Sequence, residues 1–334
     1  MARPLRIEGA GLWYHVMTRG NAGNAVFLGN ADYRAFLNRL AALSEQLDVE
    51  VHAYALLNNH VHLFLRTRRA NLSRFMQRLL SGHTTWHHRA HQTYGHLFQG
   101  RYKALVVQKN AYGAEVTRYI HLNPARTQTS TEKTIAERQA VLRDYRWSSY
   151  RAMIGLSAPE GGLIATDTLE RFEGSEREQQ RAYAAFVEQG LLRNVEDPRQ
   201  HALAQSVLGH DRFLDRMRRV VQGRKTGDRE AARMKRQLLA ERFEDVIARV
   251  ARAYKTDAAD LRKARKGRAG HEARQVAIWL TRRLCAGALT ARAIGKEMGL
   301  SGSAVAVAEA RLAARLKRDK GLKRRCERLL FNVK

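Results

Sequence analysis

The stretch LLNNHVHLFLRT, residues 56–67, decides the fold because it joins a tight turn to the start of a strand. Asn58 and Asn59 suit a two-residue hairpin turn, since asparagine tolerates positive φ angles. The residues after the turn alternate as in a strand, so His60 and His62 share one face. Two neutral imidazoles on one face can hold a divalent metal ion, and they are equally compatible with ordinary polar positions on a sheet.

The residues around this hairpin predict a regular series of strands and helices. Pro124 disfavours the helical conformation at the residue before it, so the last helix of the series should stop near Asn123. The order is that of a ferredoxin-like antiparallel sheet with crossover helices on one face, an α+β fold. The predicted elements are a strand at 12–19, a helix at 31–47, strands at 50–57 and 60–67, a helix at 72–92, a strand at 102–109 and a helix from 111.

The composition changes after residue 155, which is the predicted end of the first domain. Residues 156–240 read as a helical connector, and its stretch GRKTGDREAARMKRQ is a candidate mobile basic linker. Residues 241–334 read as an all-α DNA-binding domain.

A helix-turn-helix is predicted inside this last domain. Ile294 and Met298 lie on one apolar helix face, and Gly299 is the expected C-cap. Ser301 or Ser303 should begin the second helix, which in such motifs enters the DNA major groove.

Charge and composition restrict the function. The 334 residues include 60 Lys and Arg against 32 Asp and Glu, a formal net charge of +28. A balance this basic favours nucleic acid as partner, with an anionic membrane surface as the alternative. No apolar run approaches the ~20 residues of a membrane span, and MARPLRIEGAGLWYHV lacks a signal-peptide core. Two distant cysteines fit a reducing cytoplasm, and we expect a cytoplasmic, nucleoid-associated protein.

The helix containing EVTRYIHLNPAR supplies candidate partners for the histidine pair. Tyr119 and Asn123 are four residues apart and share a helix face. Asn123 can offer a carbonyl oxygen to a hard metal, and Tyr119 can attack phosphorus once it loses its proton. A buried tyrosine and a helix C-terminal asparagine are the plainer interpretations. Candidate DNA contacts are Arg19, Arg101, Lys103, Arg118, Arg126 and Ser303.

A second histidine series competes for the metal. His83, His87 and His91 follow each other at intervals of four on one helix stripe. No carboxylate is near in sequence and Arg89 would repel a cation, so an exposed or nucleic-acid-facing stripe is favoured over a metal site.

Six motifs recur in this chain in order: YHVMTRGN, NNHVHLFL, NLSRFMQRLL, HLFQGRYKALVV, RYIHLNPAR and YRWSSY. Together they resemble the REP-associated tyrosine transposases of the single-tyrosine HUH transposase superfamily. The resemblance covers about residues 1–155, and the C-terminal region resembles the helix-turn-helix domain of the bacterial replication initiator in ADLRKARKGRAGHEARQVAIWL and IGKEMGLSGSAV. The chain departs from the family at Asn58, where many relatives have proline, and at Gly113, where bulkier apolar residues are usual.

The resemblance implies a residue-by-residue assignment. His60 and His62 match the metal ligands, Tyr119 matches the catalytic tyrosine, and Asn123 falls at the position of a polar third ligand. The implied activity is Mg²⁺- or Mn²⁺-dependent nicking and rejoining of single-stranded hairpin DNA through a 5′-phosphotyrosine, by a monomer or homodimer that also contacts flanking DNA.

Two other classes of function stay open from sequence. One is a repeat-binding or regulatory protein that has lost cleavage. The other is a ferredoxin-like RNA binder, which would need exposed sheet aromatics such as Tyr54 or Phe64.

Overall fold

The computed structural model describes residues 6–127, 133–193, 195–204, 206–222, 235, 238–263, 268–285 and 289–331, and only the backbone at 268–271 and 331. Two compact units divide the chain, one spanning residues 4–224 and the other containing residues 225–334. The predicted mobile basic linker, residues 223–237, lies outside the described residues except for Lys235.

The first unit begins with the predicted series of strands and helices. Further helices follow at Ile135–Asp144 (α4), Tyr150–Met153 (α5), Thr166–Leu169 (α6), Glu176–Gln189 (α7) and Asp211–Gln222 (α8), with a short strand β5 at Val207–Leu208 before α8. The first elements are β1 (Leu12–Arg19), α1 (Asn30–Leu47), β2 (Val49–Leu57), β3 (His60–Thr67), α2 (Leu72–His91), β4 (Lys103–Val107) and α3 (Lys109–Leu122), after which Asn123–Arg126 form a 3-10 turn.

The sheet has the strand order β2-β3-β1-β4-β5. The first four strands pair antiparallel, as in a ferredoxin-like fold, and Leu57 pairs with His60 across the predicted two-residue turn. β5 adds a fifth strand, parallel to β4, that the sequence did not predict. Two residues are too short a run to give a strand signal, because alternation needs several positions to be visible.

The two faces of the sheet have different partners. Alternation sends Val61, Leu63 and Leu65 of β3 to the face covered by α1 and α2, where they are fully buried. The other face presents Trp13, Ala53, Phe64 and Leu105, and α3 packs on it through Val116 and Ile120. Phe64 and Tyr54 are 1% and 2% exposed, so neither is available to stack on an RNA base.

Part of the predicted connector belongs to this first unit. Tyr183 of α7 is completely buried, and its hydroxyl lies 2.7 Å from Nδ1 of His121 on α3. His121 Nε2 lies 2.8 Å from the Ser149 hydroxyl, which also hydrogen bonds to the backbone of Tyr54 in β2. The chain after residue 155 therefore helps to hold α3 against the sheet.

The expectation of an exposed histidine stripe on α2 was wrong. His83 and His87 are 1% and 4% exposed, because this stripe faces α1 instead of solvent. His83 Nε2 lies 3.1 Å from the Val26 carbonyl oxygen, and His91 Nε2 lies 2.7 Å from the Asp32 carboxylate. Asp32 is distant in sequence, which is why no carboxylate was expected beside these histidines.

The second unit is helical. Its described helices are α9 (Phe243–Tyr254), α10 (Ala258–Arg262), α11 (Arg268–Leu284), α12 (Ala291–Glu297), α13 (Gly302–Leu316) and α14 (Lys320–Phe331). Gly299 has a φ of +61° between α12 and α13, and Ser301 caps α13 by accepting a hydrogen bond from the Ala304 amide at 3.1 Å. Ile294, Met298 and Val305 are buried in the core of this unit.

No helix within the described residues is long and apolar enough to cross a membrane.

Candidate active site

The histidine pair lies where β3 leaves the hairpin turn. His60 pairs with Leu57 of β2 and Arg19 of β1, and His62 occupies the next position on the same face. The centroids of the two imidazole rings are 5.1 Å apart. This face is the one on which α3 packs.

Helix α3 brings the predicted tyrosine to the histidines. The Tyr119 ring centroid lies 5.8 Å from that of His62, in an edge-on arrangement. Asn123 follows one turn later, and its amide nitrogen donates to the backbone carbonyls of Tyr119 at 2.8 Å and Ile120 at 3.3 Å. Both of these hydrogen bonds use the side-chain nitrogen, so its oxygen is the atom left to interact with His60, whose pKa Asn123 influences.

Asn59, in the turn, sets the tautomer of His60. Its amide nitrogen donates to the Gly23 carbonyl at 3.0 Å, so its Oδ1 is the atom that faces His60 Nδ1 at 2.7 Å. An amide oxygen only accepts, so His60 Nδ1 must carry the proton. The lone pair of His60 is therefore on Nε2.

A third histidine, His15 of β1, lies next to His62. Its Nε2 lies 3.0 Å from His62 Nδ1, and its ring centroid lies 5.7 Å from that of Tyr119. His15 is completely buried, and its Nδ1 has no hydrogen-bond partner. If His62 Nδ1 donates to His15, the lone pair of His62 is on Nε2, as in His60.

Burial keeps all three imidazoles neutral. Desolvation, with the Arg19 charge, lowers the pKa of His60 to about 4. Burial also lowers the pKa of His15 to about 3 and holds that of His62 well below its usual value. Neutral imidazole is the form that binds metal ions.

These side chains fit a divalent cation. With this tautomer, the lone pair of His60 Nε2 and the amide oxygen of Asn123 lie close together. Two lone pairs repel each other at close range, and a bound cation removes the repulsion. A nitrogen and oxygen set also accepts Mg²⁺ or Mn²⁺. Within the described residues, no group of three or more His, Cys, Asp or Glu side chains has metal-binding geometry.

Two residues from beyond the predicted first domain lie beside the tyrosine helix. Asp197 and Arg199 belong to the segment that packs against α3, and the charges of both act on Tyr119. Burial, with the Asp197 charge next, raises the pKa of Tyr119 above its ordinary value.

The residues predicted to contact DNA lie in different environments. The Arg126 guanidinium lies 5.4 Å from the centroid of the Tyr119 ring, and the exposed Arg19 ends β1 beside His60. The Arg118 guanidinium stacks on Phe186 at 4.5 Å and pairs with Glu115, which leaves little of it for DNA.

The remaining predicted contacts are exposed. Arg101 precedes β4 and Lys103 begins it, both on the surface. Ser303 is exposed in the first turn of α13, in the second unit, with its hydroxyl 2.9 Å from that of Ser301.

Sequence reasoning did not identify four residues of this site: His15, Asn59, Asp197 and Arg199. His15 lies in the quoted YHVMTRGN motif and Asn59 in the turn, so both were visible as polar residues next to a candidate site. Asp197 and Arg199 gave no such signal, because their proximity to Tyr119 depends on the path of the chain after α7.

Comparisons with known proteins gave one family match and one structural likeness. The family model "Transposase IS200 like" matches residues 10–123, which include β1 to β4 and α3 through Asn123. A solved structure described as a REP-associated tyrosine transposase bound to a REP hairpin is 14% identical, covers 53% of this chain and 93% of its own, and has a TM-score of 0.37. No curated protein matches.

The family match includes the histidine pair, the tyrosine and the asparagine within one continuous segment. Residues 10–123 are therefore similar in sequence to IS200-like transposases.

Proposed function

We propose that this protein is a REP-associated tyrosine transposase that nicks and rejoins single-stranded hairpin DNA, with Tyr119 as nucleophile. The observation that carries the proposal is the convergence of Tyr119 with His60 and His62, which the fold brings together from α3 and β3. The IS200-like family match supports a DNA-processing role for the same segment.

The cation, Mg²⁺ or Mn²⁺, would be held by Nε2 of His60, Nε2 of His62 and Oδ1 of Asn123. When bound, it supplies Lewis-acid polarisation of the scissile phosphate. Asn59 and His15 orient the two imidazoles through their Nδ1 atoms.

The tyrosine performs the chemical step. The Tyr119 oxygen loses its proton and attacks phosphorus in line, and the bond between phosphorus and the 3′-oxygen breaks. The products are a 5′-phosphotyrosine and a free 3′-hydroxyl. Because no water adds to phosphorus, the phosphodiester energy is retained and the 3′-hydroxyl can attack in reverse to rejoin the strand.

The surface charge supports a DNA substrate. Arg34, Arg39 and Arg78 line an open groove between α1 and α2, next to Trp86, and no acidic residue lines it. Arginines without acidic partners suit phosphate backbones, with affinity that falls as salt rises. A chromosomal DNA substrate also supports the cytoplasmic, nucleoid-associated location expected from sequence.

The test is formation of a covalent adduct on hairpin oligonucleotides with single-stranded flanks in the presence of Mn²⁺. We expect Tyr119→Phe to abolish the adduct and leave hairpin binding unchanged, because only one oxygen is lost. Tyr112→Phe is the matched control on the same helix, since Tyr112 packs against His210, away from the histidine pair.

The histidine pair has its own expected result. His60→Ala and His62→Ala should each eliminate the adduct while hairpin affinity, which comes mainly from phosphate contacts, stays near the wild-type value. A wild-type protein that binds hairpins tightly but forms no adduct would instead favour the second candidate, a non-catalytic repeat-binding protein derived from a transposase.

A further inference from the structure

The chain segment after α7 forms a rigid pair of charges. Asp197 precedes the 3-10 helix Pro198–His201 and accepts hydrogen bonds from the Arg199 backbone amide at 2.9 Å and from Arg199 Nε at 2.9 and 2.8 Å. Arg199 Nη2 donates to the same carboxylate. Pro198 between them restricts the backbone. We call this pair the Asp197–Arg199 clasp.

Strand β5 anchors the clasp to the sheet. The Val106 amide donates to the Ser206 carbonyl and the Gln108 amide to the Leu208 carbonyl, both at 2.8 Å. Leu208 also joins the apolar cluster under α3. The segment that carries the clasp is therefore held to the sheet by the backbone pairing of β5 with β4 and by the burial of Leu208.

The clasp lies beside the tyrosine helix. The 3-10 helix Pro198–His201 packs against α3, and Ala202, which follows it, packs in the same apolar cluster as Tyr119. The charges of Asp197 and Arg199 both act on Tyr119. The other nearby cations are placed differently, since Arg126 lies over the ring face and Arg118 is paired with Glu115. The Arg199 guanidinium is held in this segment by the Asp197 carboxylate, which accepts from both its Nε and its Nη2.

We propose that Arg199 is a catalytic residue that stabilises the negative charge on the Tyr119 oxygen and on the scissile phosphate, and that Asp197 is its positioning residue. This inference rests on the proposed transesterification and deepens it. It also extends the active site beyond the IS200-like segment, residues 10–123.

The role follows from the charge changes of the step. The phenolic proton passes to solvent, the Tyr119 oxygen bonds to phosphorus, and the 3′-oxygen leaves and takes a proton from solvent. Negative charge is highest on the phenolate and on the non-bridging phosphate oxygens, and a guanidinium beside both is stabilising. Because the carboxylate of Asp197 already holds the fork of Arg199, little entropy is lost when the charge develops.

The test is the single-turnover rate of adduct formation by the full chain, with Mn²⁺ and a hairpin oligonucleotide. Arg199→Gln should lower this rate by about 100-fold, the usual effect of removing one preorganised donor, while hairpin affinity and melting temperature stay near wild type. Arg193→Gln is the matched control, because Arg193 is an exposed arginine of the same segment. Asp197→Asn should lower the rate less, since Arg199 keeps its charge but loses its ionic anchor.

Chemical rescue separates catalysis from structure. Added millimolar guanidinium should restore part of the activity of Arg199→Ala and have no effect on Arg193→Ala, a result that a purely structural arginine would not give. Equal rates for Arg199→Gln and Arg193→Gln, or a faster adduct in Arg199→Gln, would overturn the inference and leave the proposed function standing. A wild-type protein that forms no adduct overturns both.

Discussion

The Asn59 amide oxygen accepts a hydrogen bond from His60 Nδ1 at 2.7 Å, and the Asn59 amide nitrogen is held by the Gly23 carbonyl at 3.0 Å. This chain of contacts makes one turn residue responsible for the tautomer of a neighbouring imidazole. The consequence is a free lone pair on Nε2 of His60, whose pKa is influenced by Asn123.

Asn59→Ala should therefore weaken the response to metal without removing a ligand. Loss of such an orienting contact typically costs 10–100-fold in metal affinity, so we expect the Mn²⁺ concentration that gives half-maximal adduct formation to rise by a factor in that range. Saturating Mn²⁺ should restore the rate. Asn58→Ala is the control in the same turn, and an unchanged Mn²⁺ dependence in Asn59→Ala would contradict the tautomer assignment.

Stability should fall on acidification because of His121. This residue is completely buried, and burial lowers its pKa from 6.5 to about 3. Below pH 6.5, His121 takes up a proton in the unfolded chain but stays neutral in the folded chain. The free energy of unfolding contributed by neutral His121 is therefore complete above pH 6.5. It declines by about 1.4 kcal/mol per pH unit as the pH falls toward 3.

Urea unfolding at pH 7 and at pH 5 measures this effect. His121→Gln should be less stable than wild type at pH 7. Between pH 7 and pH 5, its unfolding should take up one proton fewer than that of the wild type, so its free energy of unfolding should change less with pH. His96→Gln, at an exposed position, should show the same pH dependence as wild type. Identical pH dependence in all three proteins would rule out this role for His121.

Gly113→Ala should stabilise the protein by about 0.5–1 kcal/mol, because glycine in a helix interior carries an entropic cost. A methyl group at this position would lie 3.4 Å from Lys109 Cγ and 3.7 Å from Phe64 Cζ, which is ordinary contact. Thermal melting is the measurement. A lower melting temperature would indicate that α3 needs the closer approach to Phe64 that glycine allows.

A protein ending at residue 222 should fold and form the adduct, whereas one ending at residue 155 should not. The shorter protein lacks Tyr183, which hydrogen bonds to His121, and it lacks β5 and the Asp197–Arg199 clasp. Cooperative melting is checked first, and adduct formation second. A well-folded, fully active protein ending at residue 155 would show that the later segment is dispensable.

The helix pair of the second unit should contribute mainly phosphate contacts. Arg292 and Lys296 are exposed and line a groove beside the first turn of α13. Replacing both with Gln should reduce the slope of log affinity against log salt for double-stranded DNA by about 1.8, at about 0.9 per phosphate contact. The double variant of Lys317 and Arg318 to Gln is the control, and equal slopes in the two variants would contradict a specific role for the groove.

Local patterns were sufficient to predict the first four strands and their helices. Alternation in HVHLFLRT, the Asn58–Asn59 turn and Pro124 after Asn123 each act within a few residues, so the sequence alone indicates the hairpin, the shared face of the two histidines and the end of α3. The same short-range rules placed Tyr119 and Asn123 on one helix face.

Tertiary structure decided which distant residues complete the site. His15 lies next to His62 because β1 pairs with β3, and Asp197 and Arg199 lie next to Tyr119 because β5 pairs with β4. The tertiary structure also buries the α2 histidines against α1, where the Asp32 carboxylate accepts a hydrogen bond from His91. The physical reason is that helix caps, turns and alternation are set by neighbours in sequence, whereas burial and ion pairing depend on where the chain returns in space.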